Sequence, residues 1–257
     1  MKPQKKLKYI LIPVFFFLLF LAGCNKNEKV SGVPTSFHKR VLFEEFSGEW
    51  CSNCVRGNKE FLDIIKSNPG DIMGVSIHSG DAFELEYPAI APFLISEFNI
   101  DYFPFALVDR VVNESDYRVL IDQRLGIKYN AGVKLKTEII ENELLIEVAY
   151  AANSDFDNTL LTVYITEDNV PESSPGAQVG GGGNYIHQKV LRKVLTSKIG
   201  IPVELQKGKI YRITFSTNIS KYKKNDLNVI AFLHYGSTRS YEVINGNQAK
   251  AGGSAGW

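Results

Sequence analysis

The hydrophobic period of this 257-residue chain changes near residue 130, and that change restricts its fold more than any other feature. Before it, short apolar runs alternate with segments of helical spacing. "VLFEEF", residues 41–46, is a β-favouring apolar run. Cys54, Asn58, Phe61, Leu62 and Ile65 then recur on one helical face, and "SNPGD" stops that segment with Pro and Gly. "IMGVSIH", residues 72–78, reads as a second strand. "YPAIAPFLISEFNI", residues 87–100, reads as a helix with Pro88 at its start. "FPFALVD", residues 103–109, is a third strand, and "ESDYRVLIDQRL", residues 114–125, a helix between a Ser115 cap and Gly126. Strand–helix alternation is an α/β pattern.

Beyond residue 130 the period is that of strands. Val133, Leu135, Thr137 and Ile139 alternate with polar residues, as do Leu161, Val163 and Ile165, and Tyr211, Ile213 and Phe215. "LNVIAFLHY", residues 227–235, is a strong strand and "YEVINGNQAK", residues 241–250, a weaker one. Repeated strands without intervening helices predict an all-β sandwich of about seven strands. "GGGGNY" at 180–185 lacks the Lys and Ser/Thr of a phosphate loop and reads as a mobile hairpin loop. "AGGSAGW" reads as a frayed tail.

The N-terminus has a different character. Lys2, Lys5, Lys6 and Lys8 precede "YILIPVFFFLLFLA", a run too short for a comfortable membrane span, followed by Gly23 and Cys24. A basic start, an apolar run and a small-small-Cys ending resemble a bacterial lipoprotein signal, which would make Cys24 the lipidated N-terminus. The expected organisation is a signal peptide at 1–23, a lipidated tether at 24–37, an α/β domain at 38–129 and the sandwich, with its flexible tail, at 130–257. The formal charge of +1 shows no clustered basic face of the kind nucleic acid requires.

With Cys24 acylated, Cys51 and Cys54 of "EFSGEWCSNC" are the remaining thiols, in a compartment where disulfides persist. His38, His78, His187 and His234 show no paired spacing, so no metal site is expected. A disulfide across two intervening residues closes a tiny loop and adds little chain-entropy stabilisation, which weakens a staple reading. The pair follows a strand and opens a helix, where unsatisfied N–H groups and the helix dipole favour a thiolate. Cys51, nearest the terminus, is the expected nucleophile and Cys54 its resolving partner.

"VLFEEFSGEWCSNC" resembles the active-site segment of thioredoxin-like proteins. That resemblance implies a redox-active Cys51–Cys54 disulfide, a buried acid at Glu45 that relays protons, and a substrate groove of Trp50, Phe103 and a cis Pro104. The Ser-Asn dipeptide departs from that family's Gly-Pro, so its redox poise does not transfer. The lipobox, the cysteine segment, the Phe-Pro strand and the β-rich C-terminal half together are similar to thioredoxin-like outer-membrane lipoproteins related to outer-membrane protein 28. The resulting fold class is a thioredoxin-like α/β domain followed by an all-β sandwich. The resulting function is that of an envelope lipoprotein, in the outer membrane facing the periplasm or the cell surface. It would exchange disulfides with protein thiols, without cofactor, metal or nucleic acid. The alternative is a non-enzymatic surface lipoprotein that uses its sandwich for binding or adhesion.

Overall fold

The computed structural model describes residues 32–111, 116–128, 130–239 and 241–257. The signal segment, Cys24 and the expected Ser115 cap lie outside the described residues. The elements run β1 (Val41–Ser47), α1 (Cys54–Ser67), β2 (Ile72–His78), α2 (Ile90–Glu97), β3 (Phe105–Val108) and α3 (Tyr117–Leu125). There follow β4 (Ala131–Ile140), β5 (Glu143–Ala152), β6 (Thr159–Glu167), β7 (Val170–Pro171), β8 (Ile186–His187), β9 (Val190–Val194) and β10 (Ile201–Pro202). The last are β11 (Ile210–Asn218), β12 (Leu227–Tyr235), β13 (Val243–Lys250) and β14 (Ser254–Ala255).

Most strands belong to one mixed sheet of order β13-β12-β6-β9-β2-β1-β3, with β10 added beside β6. A second, antiparallel sheet has the order β11-β5-β4-β14. Strand period explains how one sheet serves two cores. On β12, Val229, Ala231 and Leu233 face a core shared with Val133, Leu135, Ile146 and Val148 of the second sheet. Ile230 and Phe232 face the opposite side, with Leu42, Met73, Val75, Ile77 and α2 residues Ile90 and Leu94. A strand buried on both faces reads as a continuous apolar run, which is what "LNVIAFLHY" is. A third cluster packs Phe61 and Ile64 of α1 and Leu120 and Ile121 of α3 on Val41, Phe43 and Val108.

The expected fold class is therefore overturned. No thioredoxin-like α/β fold followed by a sandwich is present among the described residues; strand predominates over helix, and the mixed sheet takes strands from both halves of the sequence. The joining strand is β9, which pairs with β6 antiparallel and meets β2 in parallel at Ser76 and Val190. Ser76 also receives Lys189: its N–H donates to the Lys189 carbonyl at 2.8 Å. The physical reason is that β2 is buried along its whole length. Its edge amides need partners as well as its faces, and hydrophobic periodicity reports faces but not edges.

Local differences have local causes. Pro88 follows a cis Tyr87–Pro88 bond and precedes the helix, which begins at Ile90. Asp116 caps α3 by accepting the Arg118 N–H at 2.7 Å. The C-terminal segment is tied down: β14 pairs with β4, and Trp257 lies edge-on to Phe37 with ring centroids 5.7 Å apart.

Candidate functional site

The cysteines sit where β1 turns into α1. The Cys51 N–H donates to the Gly48 carbonyl at 3.0 Å, closing a tight turn, and Cys54 is the first residue of α1. Cys51 and Cys54 are disulfide-bonded, with Cα atoms 5.3 Å apart. Asn53 makes no side-chain cap, so the helix terminus beneath the disulfide keeps its N–H field unquenched by a side-chain acceptor. Both cysteines are nearly enclosed, at 5% and 1% exposure.

The other residues expected at the site converge on it from separate elements. Trp50 is half exposed, anchored by its indole N–H to the Ser79 carbonyl at 2.8 Å, and stacked on Phe103 at 5.5 Å. The Phe103–Pro104 bond is cis, and Pro104 packs against Gly57 so closely that a Cβ there would lie 2.5 Å from its Cγ. That same Cβ position is 3.5 Å from Glu45 Oε1, which places the β1 carboxyl, Gly57 and the Pro104 ring together. A cavity of about 200 Å³, lined by Glu45, Arg56, Glu60, Phe61, Pro104 and Tyr117 among others, opens on this side.

Glu45 is almost fully buried, and Asn58 Nδ2 donates to its carboxylate at 3.1 Å. Burial outweighs the hydrogen bonding of Asn58 and Ser76 and pushes its carboxyl up to about 8. It is therefore mostly protonated at neutral pH and able to give or take a proton near pH 8.

Two contacts of the site are set by the fold alone. The loop 172–185, between β7 and β8, is a hairpin loop as expected, but it is packed on the cysteine turn rather than mobile. Gln178 Nε2 donates to the Cys51 carbonyl at 3.1 Å and the Val179 N–H to the Glu49 carbonyl at 2.7 Å. Beside it, His78 and His187 stand edge to face at 4.9 Å, with His78 Nδ1 2.6 Å from Asp81 and His187 Nε2 3.6 Å from Glu49. Burial and the neighbouring His78 lower His187 to about 4. Among the described residues no group of three or more such side chains is placed to hold a metal ion.

Residues 92–255, more than half of the chain, match the model of the outer membrane protein Omp28 family. The chain belongs to the Omp28 family. Membership supports an outer-membrane or envelope location for this Omp28-family protein; among the described residues no helix is long and apolar enough to cross a membrane. HBP35 of Porphyromonas gingivalis is similar in structure, with a TM-score of 0.72 at 20% identity over 84% of this chain and 76% of that one. Protein AGR_C_4864 from Agrobacterium tumefaciens is similar at a TM-score of 0.55 and 14% identity, over 86% and 98% of the two chains. At these identities the likeness is one of fold. No curated protein matches the chain.

The matched Omp28 stretch contains Phe103, Pro104 and the loop over the cysteines, but it begins after Glu45, Trp50, Cys51 and Cys54.

The buried acid makes a direct prediction for this Omp28-family chain. Between pH about 4.5 and about 8 the folded protein keeps a proton on Glu45 that the unfolded chain releases, so this carboxyl's contribution to stability is lost as pH rises through that window. Glu45→Gln should remove the loss. Urea midpoints at about pH 5 and pH 8.5 are the measurement; an equal drop in parent and variant would contradict the assignment.

Proposed function

We propose that this chain is an envelope protein of the Omp28 family that exchanges disulfides with protein thiols through Cys51 and Cys54. The observation that carries the reading is the disulfide at the uncapped N-terminus of α1, beside the exposed Trp50 that stacks on Phe103, with the buried Glu45 and Pro104 packed at Gly57 of the same helix. In the oxidised protein, a substrate thiolate attacks one sulfur, breaks the Cys51–Cys54 bond and forms a mixed disulfide. The freed Cys54 thiolate resolves a mixed disulfide on Cys51 in the reverse direction. Glu45 supplies or accepts the accompanying proton. Trp50, Phe103 and Pro104 line the surface that an extended substrate backbone would follow. Cys24 would carry the lipid that holds the protein to the membrane; Cys24→Ser should leave a protein that no longer partitions with detergent or membranes, and retained lipid labelling would remove that part of the proposal.

The experiment for the exchange site is the pH profile of alkylation of the reduced protein, followed by mass spectrometry. Cys51 should react well below the pH of an ordinary thiol, near 8.5, and before Cys54. Two cysteines that alkylate like unperturbed thiols would sink the reading.

The comparisons lean toward a second reading, because they attach the chain to an outer membrane protein family and to HBP35 rather than to an oxidoreductase. On that reading the protein is a non-enzymatic envelope protein whose strands bind a partner, and the disulfide is a passive feature of one member. Loss of neither membrane association nor partner binding in a Cys51→Ser, Cys54→Ser double variant would favour it.

A further inference from the structure

Two segments far apart in sequence meet at the cysteine turn. Strands β7 and β8 pair Val170 with His187 and Pro171 with Ile186, and the Glu172 N–H continues the ladder to the Tyr185 carbonyl at 3.0 Å. The loop they close is held in shape from within: the Glu172 carboxylate accepts the Gln178 N–H at 3.0 Å, and the Gly181 N–H reaches the Gln178 carbonyl at 2.9 Å. It is held to the cysteine turn from without, at both ends of Trp50. The Glu49 carboxylate accepts the Ser173 N–H at 2.7 Å and the Ser173 hydroxyl at 2.5 Å. The Glu49 carbonyl takes the Val179 N–H, and the Cys51 carbonyl takes Gln178 Nε2. Gln178 is 2% exposed, so its amide is committed to these contacts. Gly180, at φ +80°, passes over Ser52; the site where its Cβ would be is 3.6 Å from the Ser52 carbonyl oxygen. The positive φ suits glycine.

We propose that the loop 172–185 is a strap over the Cys51–Cys54 disulfide that limits access to it, with Ser173 and Gln178 as the positioning residues that hold it shut. The Glu49 carboxylate and carbonyl and the Cys51 carbonyl are its anchor. The cysteines are enclosed although they lie in a surface turn. The residues at the rim of the strap, Trp50 and Val179, are about half exposed. On this proposal a thiol reaches the sulfurs past that rim, which favours an extended segment over a globular surface. The value of this for substrate choice rests on the exchange function proposed above; the closure itself does not.

Two measurements test the strap on the oxidised chain. The first is hydrogen exchange of the Val179 amide in the parent protein. It should be protected as a stable strand amide is; exchange at the rate of an open loop would overturn the proposal. The second is reduction by dithiothreitol, followed by alkylation and mass spectrometry. One dithiothreitol thiolate attacks a protein sulfur and breaks the Cys51–Cys54 bond. The second closes the cyclic disulfide, and the protein gains two electrons and two protons as two thiols. Ser173→Ala with Gln178→Met removes side-chain donors from the clamp while keeping side-chain bulk at 178. It should speed reduction by about tenfold or more, since each lost hydrogen bond loosens the closed state severalfold. An unchanged rate in a variant that melts like the parent would overturn the proposal. If the variant does not fold, the Val179 amide decides. A strap confirmed here and a protein that captures no thiol partner would separate closure from exchange function.

Discussion

Arg110→Met should cost about 3–5 kcal/mol of stability, a large part of what a domain of this kind possesses. Arg110 is among the largest fully buried side chains, in a left-handed backbone position at φ 58° after β3. Its Nε donates to Glu44 Oε2 at 3.1 Å, and one terminal nitrogen donates both to Glu44 Oε1 at 3.2 Å and to the Tyr164 hydroxyl at 2.8 Å. The Tyr164 hydroxyl in turn donates to Glu44 at 3.3 Å, and the guanidinium lies 5.1 Å from the centre of the Phe232 ring. One cation thus joins β1 to β6 and β12, and the Glu44 carboxylate holds Arg110 charged despite its burial. Without Arg110 that carboxylate is left, among the described residues, in an apolar core with the Tyr164 hydroxyl as its side-chain partner, which is the expensive half of breaking a buried pair. Glu44→Gln combined with Arg110→Met should therefore be less destabilised than Arg110→Met alone. Denaturant unfolding of the parent and both variants measures this. A single variant within about 1 kcal/mol of the parent would mean that water reaches the pair.

Arg110 also shows which part of the fold the sequence could not express. Apolar runs among the described residues became strands and helices: "VLFEEF" is β1, "IMGVSIH" is β2, and the Cys54–Asn58–Phe61 face is the buried side of α1. Those elements follow from short-range periodicity. The arrangement of strands does not. Nothing local in "VLRKV" announces that β9 will bridge β2 and β6, and so the sequence reads as two separate folds where a mixed sheet forms. Glu44 illustrates the same limit. In sequence it is a charge inside a strand, and only the fold brings Arg110 and Tyr164 to it.

The site divides in the same way. Cys51 and Cys54 were readable from their spacing at a strand-to-helix turn; Glu45, Trp50, Phe103 and Pro104 came from the resemblance, and the structure sets Phe103 against Trp50 and Pro104 against Gly57. The strap was not readable, because its glycines signal a turn and say nothing of where the turn docks. Ser173 and Gln178 are ordinary loop residues until Glu49 and Cys51 are placed beneath them. The His78–His187 pair was equally hidden, being 109 positions apart in the chain.

The central claim is that Cys51 exchanges with protein thiols, and its most direct test is a trap. Cys54→Ser removes the thiol that resolves a mixed disulfide and leaves Cys51 at the helix terminus, where a thiolate is favoured. The variant should accumulate covalent adducts with envelope proteins, visible as slow bands on a non-reducing gel that collapse on reduction. Mass spectrometry should find the linkage at Cys51. Cys51→Ser should form far fewer, because Cys54 is 1% exposed and sits inside the helix. Adducts on Cys51 in the Cys54→Ser variant, absent from Cys51→Ser, are the result this account expects. A gel without adducts, from a variant that folds like the parent and whose Cys51 is free, would contradict it and leave the disulfide a passive part of an Omp28-family binding protein.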